Sequence, residues 1–294
     1  MPKGPIAPLA PVVAVLNMKG GVGKTTIAAN VMRSVFERGN KSLLVDFDPQ
    51  LNLTQLLLSP ARYETLKAEG KTMLSVMESA PDPSLFKVNN IPGPAPEPEE
   101  LSVVLRRFVR SPEIDLRLVP GDFGLIKYSL IDESSRQLAP TRARFKDFIS
   151  TAQKENDVVC IDCNPSSSFM TVSALEVATH VLVPIRPDRF SSLGLKMLHT
   201  FVQELPQIAS KPKFVVLLND IPRTQYDSTV ENGLRSMPEF ASITLSNVLH
   251  HSTILAAHPK HTGFAAERKG PYKDRAIANV RSVAHELATE LGLK

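Results

Sequence analysis

The run Lys19-Gly-Gly-Val-Gly-Lys-Thr-Thr26 follows directly on the apolar stretch Val12-Val-Ala-Val-Leu16, and it constrains this chain more than any other feature. Backbone N–H groups can crowd around phosphate oxygens only where no Cβ holds them off and where the chain can adopt unusual φ/ψ values. Gly20, Gly21 and Gly23 meet both conditions. The chain must then enter a helix, whose free N-terminal amides and positive dipole end favour anions. In that setting Lys24 adds charge beside the β and γ phosphates, Thr25 offers a hydroxyl to Mg²⁺, and Thr26 reaches the α-phosphate. The whole run, Val22 included, therefore specifies a nucleoside triphosphate site. A strand, a phosphate loop and a helix in succession also commit the chain to an α/β fold.

The loop departs from the pattern G-x-x-x-x-G-K-[ST]. Met18 stands where the first glycine belongs, and a second lysine, Lys19, follows it.

Short β-branched or apolar runs alternate with amphipathic stretches from end to end, which predicts a mostly parallel, twisted sheet with helices on both faces. Strands are predicted at Val12–Leu16, Ser42–Asp46, Leu116–Val119, Val158–Asp162, His180–Ile185, Phe214–Asn219 and Ile243–Leu245. Helices are predicted at Lys24–Glu37, Leu101–Val109, Phe123–Glu133, Thr141–Lys154, Phe169–Ala178, Gly194–Leu205, Ser228–Ser236 and Arg275–Leu291. At 294 residues and 43% hydrophobic content the chain can bury a large core. The expected organisation is one domain over residues 11–294 behind a flexible tail of residues 1–10. Residues 80–100 carry Pro81, Pro83, Pro92, Pro94, Pro96 and Pro98 and read as an exposed insertion, because proline resists both helix and central strand.

Composition narrows the classes. No apolar run approaches the roughly 18 residues that span a bilayer, and the N-terminus lacks a signal-peptide pattern, so a cytoplasmic protein is expected. Cys160 and Cys163 have C-x-x-C spacing, but residues three apart on a strand face opposite sides, which argues against a metal or redox pair. The net charge of +4 permits affinity for nucleic acid without demonstrating it.

Acidic residues at strand ends define the chemistry. Leu43-Leu-Val-Asp46-Phe-Asp48-Pro-Gln50 delivers two aspartates at the carboxyl edge of a strand, the side on which α/β sheets place ligands. Asp46 and Asp48 are two apart and face the same way. Val158-Val-Cys-Ile-Asp162 is a second apolar strand ending in one carboxylate, the pattern that holds Mg²⁺ through water beside a phosphate loop.

With these segments in place the chain resembles the deviant-Walker P-loop ATPases of the ParA/MinD family, most of all ParA-type partition ATPases, over nearly its whole length. The resemblance rests on Lys19–Thr26, on Asp46-Phe-Asp-Pro-Gln50 with Asn52, and on Ile161-Asp162. Val183-Pro-Ile185 followed by Phe190-Ser-Ser-Leu-Gly194-Leu adds to it. It implies a single-domain P-loop NTPase and a Mg²⁺-dependent ATPase that forms an ATP-sandwich dimer. Lys19 would reach across to the partner's phosphates, and Lys24 would serve its own nucleotide. Thr25 would bind Mg²⁺, Asp162 would hold that ion through water with Asp48 a second water-mediated candidate, and Asp48 would orient the attacking water. Asn219, at the end of its strand, is placed to read adenine. Two departures stand out: Cys163-Asn164-Pro165 replaces the family's Thr-Pro or Pro-Pro after the second aspartate, and Leu245-Ser-Asn-Val-Leu-His250 lacks an Ile-Pro-Arg.

The resemblance further implies a ParB-like activating partner and nonspecific binding of nucleoid DNA, used to position a plasmid, chromosome or protein cargo. Lys260, Arg268, Lys269, Lys273, Arg275 and Arg281 against Glu267 and Asp274 form the candidate basic surface. Two alternatives are a MinD-like membrane-cycling ATPase, which would need a terminal basic amphipathic helix, and a metabolic ligase-type P-loop enzyme. Since the phosphate loop begins near residue 17, no helix-turn-helix is expected ahead of it, nor operator-specific binding.

Overall fold

The computed structural model describes residues 9–79, 84–89, 93–131, 136–164, 168–188, 190–256 and 263–294. Seven strands form one sheet: β1 (Val12–Val15), β2 (Ser42–Phe47), β3 (Val103–Arg107), β4 (Asp115–Val119), β5 (Val158–Cys163), β6 (His180–Ile185) and β7 (Lys213–Leu218). Their order is β3-β4-β2-β5-β1-β6-β7, and every neighbouring pair is parallel except β3 with β4. Strands buried on both faces read as continuous apolar runs, because helices cover each side of a parallel sheet.

Eleven helices surround the sheet among the described residues: α1 (Lys24–Phe36), α2 (Asn52–Leu57), α3 (Pro60–Ala68), α4 (Met73–Met77), α5 (Pro98–Leu101), α6 (Ala139–Glu155), α7 (Phe169–Val177), α8 (Ser191–Glu204), α9 (Thr229–Ser236), α10 (Pro238–Ala241) and α11 (Lys273–Glu290). Strand alternation divides the interior into two cores. Val12, Ala14 and Leu16 of the first strand segment face a core shared with α4, α6, α7 and α8. Val13 and Val15 face the other, built with α1, α2, α3 and α11. Cys160 lies in the second core and Cys163 in the first, both as free thiols, as that alternation requires.

Three expected elements differ. The span Leu101–Val109 is no helix: α5 ends at Leu101, and β3 pairs antiparallel with β4 through a register shift between Val104 and Arg106. That irregularity turns Arg106 and Arg107 both to solvent and hides the period of two. Residues Phe123–Ser129 form a 3₁₀ rather than an α-helix, started by Asp122, whose carboxylate accepts the Gly124 N–H at 2.7 Å. Ile243–Leu245 makes a single parallel bridge between Val216 and Thr244 and no strand. Helices α2 to α4 lie where no element is read from the sequence.

The proline-rich stretch is not simply exposed. The buried Arg144 guanidinium of α6 donates to the carbonyls of Gly93 and Pro94 and to those of Ser75 and Val76, and Pro98 is buried. Residues 80–83 and 90–92, like tail residues 1–8, lie outside the described residues.

Candidate nucleotide site

The loop between β1 and α1 turns at Gly21 (φ 72°) and Gly23 (φ 91°), values that side chains rarely tolerate, and Lys24 then opens α1. Gly23 caps that helix without a side chain, leaving its first amides for a ligand. Thr25 and Thr26 lie in this first turn.

The two lysines occupy different surroundings. Lys24 is buried, and its Nζ donates to the carbonyls of Asn17 (3.1 Å) and Lys19 (3.3 Å), inside the ring of the loop. Burial lowers its pKa, while the charges of Asp162 and Asp48 act the other way. Lys19 sits on the outer lip with half its side chain exposed, ion-paired to Asp188 at the far end of β6. Asp188 is itself fixed by the Phe190 N–H (3.0 Å) and the Ser191 hydroxyl (3.0 Å), and its carboxyl is held below the usual range chiefly by Lys19.

Three aspartates meet beneath the loop. Asp46 and Asp162 are partners across the β2–β5 ladder, so both strands deliver their carboxylates at one level. Asp46 is fully buried and accepts from the Thr54 N–H (2.8 Å) and hydroxyl (2.6 Å); burial pushes its pKa up to about 7. Asp48 is nearly buried and accepts the Gln50 N–H at 2.9 Å; burial raises its pKa, opposed by that N–H and by Lys24. Asp162 is sealed as well, with its pKa well above the carboxylate range because of burial and then the Asp46 charge. Among the described residues neither of its oxygens has a partner at hydrogen-bond distance and angle, although the Thr25 hydroxyl lies beside it. A buried carboxylate with both oxygens orphaned is costly unless a cation or its water shell satisfies it, so Thr25 and Asp162 fit a hydrated Mg²⁺.

Beside the loop, Lys19 and Gly20 open onto a cavity of 840 Å³ walled by Arg186, Asp220, Arg223 and His251. Asn219 stands at the loop rather than deep in this cavity: its Nδ2 donates to the Val22 carbonyl at 2.8 Å.

Residues 17, 54 and 188 escaped the sequence reading. Asn17 accepts the Lys19 N–H (2.9 Å) and donates to the Pro184 carbonyl of β6 (2.8 Å), which fixes the start of the loop. Its place beside the glycine run was a local signal. Asp188 is 169 positions from Lys19, and nothing local marks the pair. Of the expected basic surface, Arg268 drops out: it is buried and donates to the carbonyls of Ile254, Ala256 and Gly263. Lys269 and Arg275 are exposed, Lys273 is half-buried, and Arg281 pairs with Glu37; Lys260 lies outside the described residues. Arg275 lies close to Arg223 on the cavity rim and to His250. Asn164 accepts the Thr171 hydroxyl at 3.3 Å, and Pro165 is outside the described residues.

Residues 10–215 match the family model of an AAA domain. The chromosome-partitioning ATPase Soj of Treponema pallidum is 27% identical over 254 residues, 84% of this chain and 85% of that one. The crystal structure of a plasmid partition protein from Borrelia burgdorferi superposes with a TM-score of 0.60 at 16% identity, covering 94% of this chain and 98% of that one. The cobyrinic acid a,c-diamide synthase from Mycobacterium smegmatis, with bound ATP analogue and magnesium, superposes with a TM-score of 0.65 at 22% identity, covering 96% and 95%. At such identities these two likenesses concern the fold alone. The family match spans the phosphate loop and the ends of β2 and β5, so the chain belongs to this AAA-domain family and, within it, to the ParA/MinD type of P-loop ATPases.

Proposed function

We propose that this chain is a Mg²⁺-dependent ATPase that closes into a sandwich dimer around ATP, binds DNA without sequence preference in that state, and is driven to hydrolyse by a ParB-like partner. The reading places it in the cytoplasm on the nucleoid, moving a plasmid, chromosome region or protein cluster. One observation carries it: Lys24 serves the loop from within, whereas Lys19 stands on the exposed lip, where it can reach phosphates held by a second subunit. Its pair with Asp188 is half exposed on both sides and is worth roughly 0–1 kcal/mol in solvent. So weak a pair can be exchanged for charge-assisted bonds to the more highly charged phosphates of a partner's nucleotide.

Phosphoryl transfer needs in-line positioning and charge neutralisation more than a strong base. The loop amides from Gly20 to Gly23 hold the phosphates, and Lys24 balances charge on the β and γ groups. Thr25 and Asp162 would hold Mg²⁺, directly and through water, and the ion supplies further neutralisation of the phosphates. Asp48 orients the attacking water. The nucleoside lies in the 840 Å³ cavity, with Asn219 at the junction of base and phosphates.

A membrane-cycling role has less support. No helix of the described residues is long and apolar enough to cross a membrane. The apolar face of α11, with Ile277, Val280, Ala284 and Leu287, is already buried in the second core, where α11 packs on α1. The DNA assignment rests on the exposed Lys269, on Arg223 at the cavity and on Arg275 near it. ATP should make the protein bind arbitrary duplex DNA, with an affinity that falls steeply as salt rises. Retention that is indifferent to ATP or to salt would remove DNA from the proposal.

A further inference from the structure

We propose that Asn219 is a positioning residue of the phosphate loop, holding the Val22–Gly23 peptide so that the Gly23 N–H faces the phosphates. In a trans peptide the C=O and the following N–H point in opposite directions. The Asn219 amide holds the Val22 oxygen at 2.8 Å on the β7 side of the loop, which turns the Gly23 N–H to the other side, toward the anion hole. The close approach depends on glycine. A Cβ on Gly23 would collide with the Asn219 amide nitrogen, and the residue's φ of 91° excludes most side chains independently.

The far end of this contact is fixed just as firmly. The Asn219 N–H donates to the Ile185 carbonyl at 2.7 Å, tying it to β6. The next residue, Asp220, takes a left-handed φ of 63°, which is uncommon for a non-glycine. Its carboxylate is gripped by Arg186 and by His251 Nδ1 at 2.6 Å. Held by these two partners, Asp220 fixes the backbone directly after Asn219. An amide carries two N–H groups and a carbonyl, so Asn219 can hold Val22 and still contact a base. Base and phosphate binding are thereby joined through one side chain.

The proposal rests on the triphosphate reading of the loop, and inorganic tripolyphosphate separates the two, because it has phosphates and no base. Affinities of wild type, Asn219→Ala and Asn219→Leu for Mg²⁺–ATP and Mg²⁺–tripolyphosphate are measured by calorimetry, alongside the melting temperature of each without ligand. Asn219→Leu keeps nearly the side-chain size and loses the donor without adding charge beside the phosphates, so it guards against a folding defect in the alanine variant. Both variants should bind tripolyphosphate about tenfold more weakly, the scale of one good hydrogen bond, with a loss for ATP at least as large. A loss confined to ATP would make Asn219 a base contact only and overturn the proposal. Unchanged binding of both ligands, or a lower melting temperature with tripolyphosphate affinity intact, would overturn it too. Wild type that binds neither ligand would remove the triphosphate reading, and the proposal with it.

Discussion

A carboxylate sealed from water resists ionisation, and Asp46 carries that cost into the stability of the fold. Its proton is held until about pH 7 in the folded chain, against an ordinary value of 3.8. Between those values the folded state binds more protons than the unfolded one, so rising pH favours unfolding. The contribution of Asp46 is therefore complete below about pH 4 and lost by about pH 7. Asp46→Asn cannot ionise, so without nucleotide its melting temperature should fall less between pH 5 and pH 8 than that of wild type. Equal falls in the two proteins would place the titration elsewhere. The same scale shows what a sequence can reveal of a site. Lys19 to Thr26 are contiguous and Asp46 and Asp48 are two apart, so their chemistry is written in local spacing. Asn17, Thr54 and Asp188 act through contacts created by folding, and the Lys19–Asp188 pair closes over 169 positions. Asn219 was legible as a strand-end residue near the nucleotide, but not as a partner of Val22.

At the scale of elements, the inner strands β1, β2, β5 and β6 were legible because burial on both faces makes each a continuous apolar run. The edge was not. β3 is paired on one side only, and its irregular register brings two arginines outward in succession, so Val103–Arg107 mimics the mixed face of a helix. The proline-rich stretch reads as a loop from composition alone, and composition says nothing of the guanidinium that pins it. Arg144 donates to four carbonyls, two of them in that stretch. Hydrogen bonds to charged groups are worth roughly 1.5–3 kcal/mol, and unpaired buried carbonyls add a penalty. Arg144→Ala should therefore lower stability by about 3 kcal/mol, seen as a reduced urea midpoint, and should speed proteolysis within residues 84–97. An unchanged midpoint and cleavage rate would show that the stretch is held by other contacts.

For the molecule as a whole, the parallel sheet places every functional carboxylate at one end, with the phosphate loop at its centre between β5 and β6. Lys24, Asp48 and Asp162 are gathered within one subunit. Lys19 is directed outward, and in the proposed sandwich dimer one subunit would supply only part of the charge around a triphosphate, which a second copy would complete. The direct measurement is sedimentation velocity in Mg²⁺–ATP of Asp48→Ala, which should bind nucleotide without consuming it, compared with Asp48→Ala carrying Lys19→Ala. The single variant should sediment as a dimer with ATP and as a monomer with ADP, and the double variant should remain a monomer with either. A double variant that dimerises with ATP as readily as the single one would contradict the role of Lys19 across the interface.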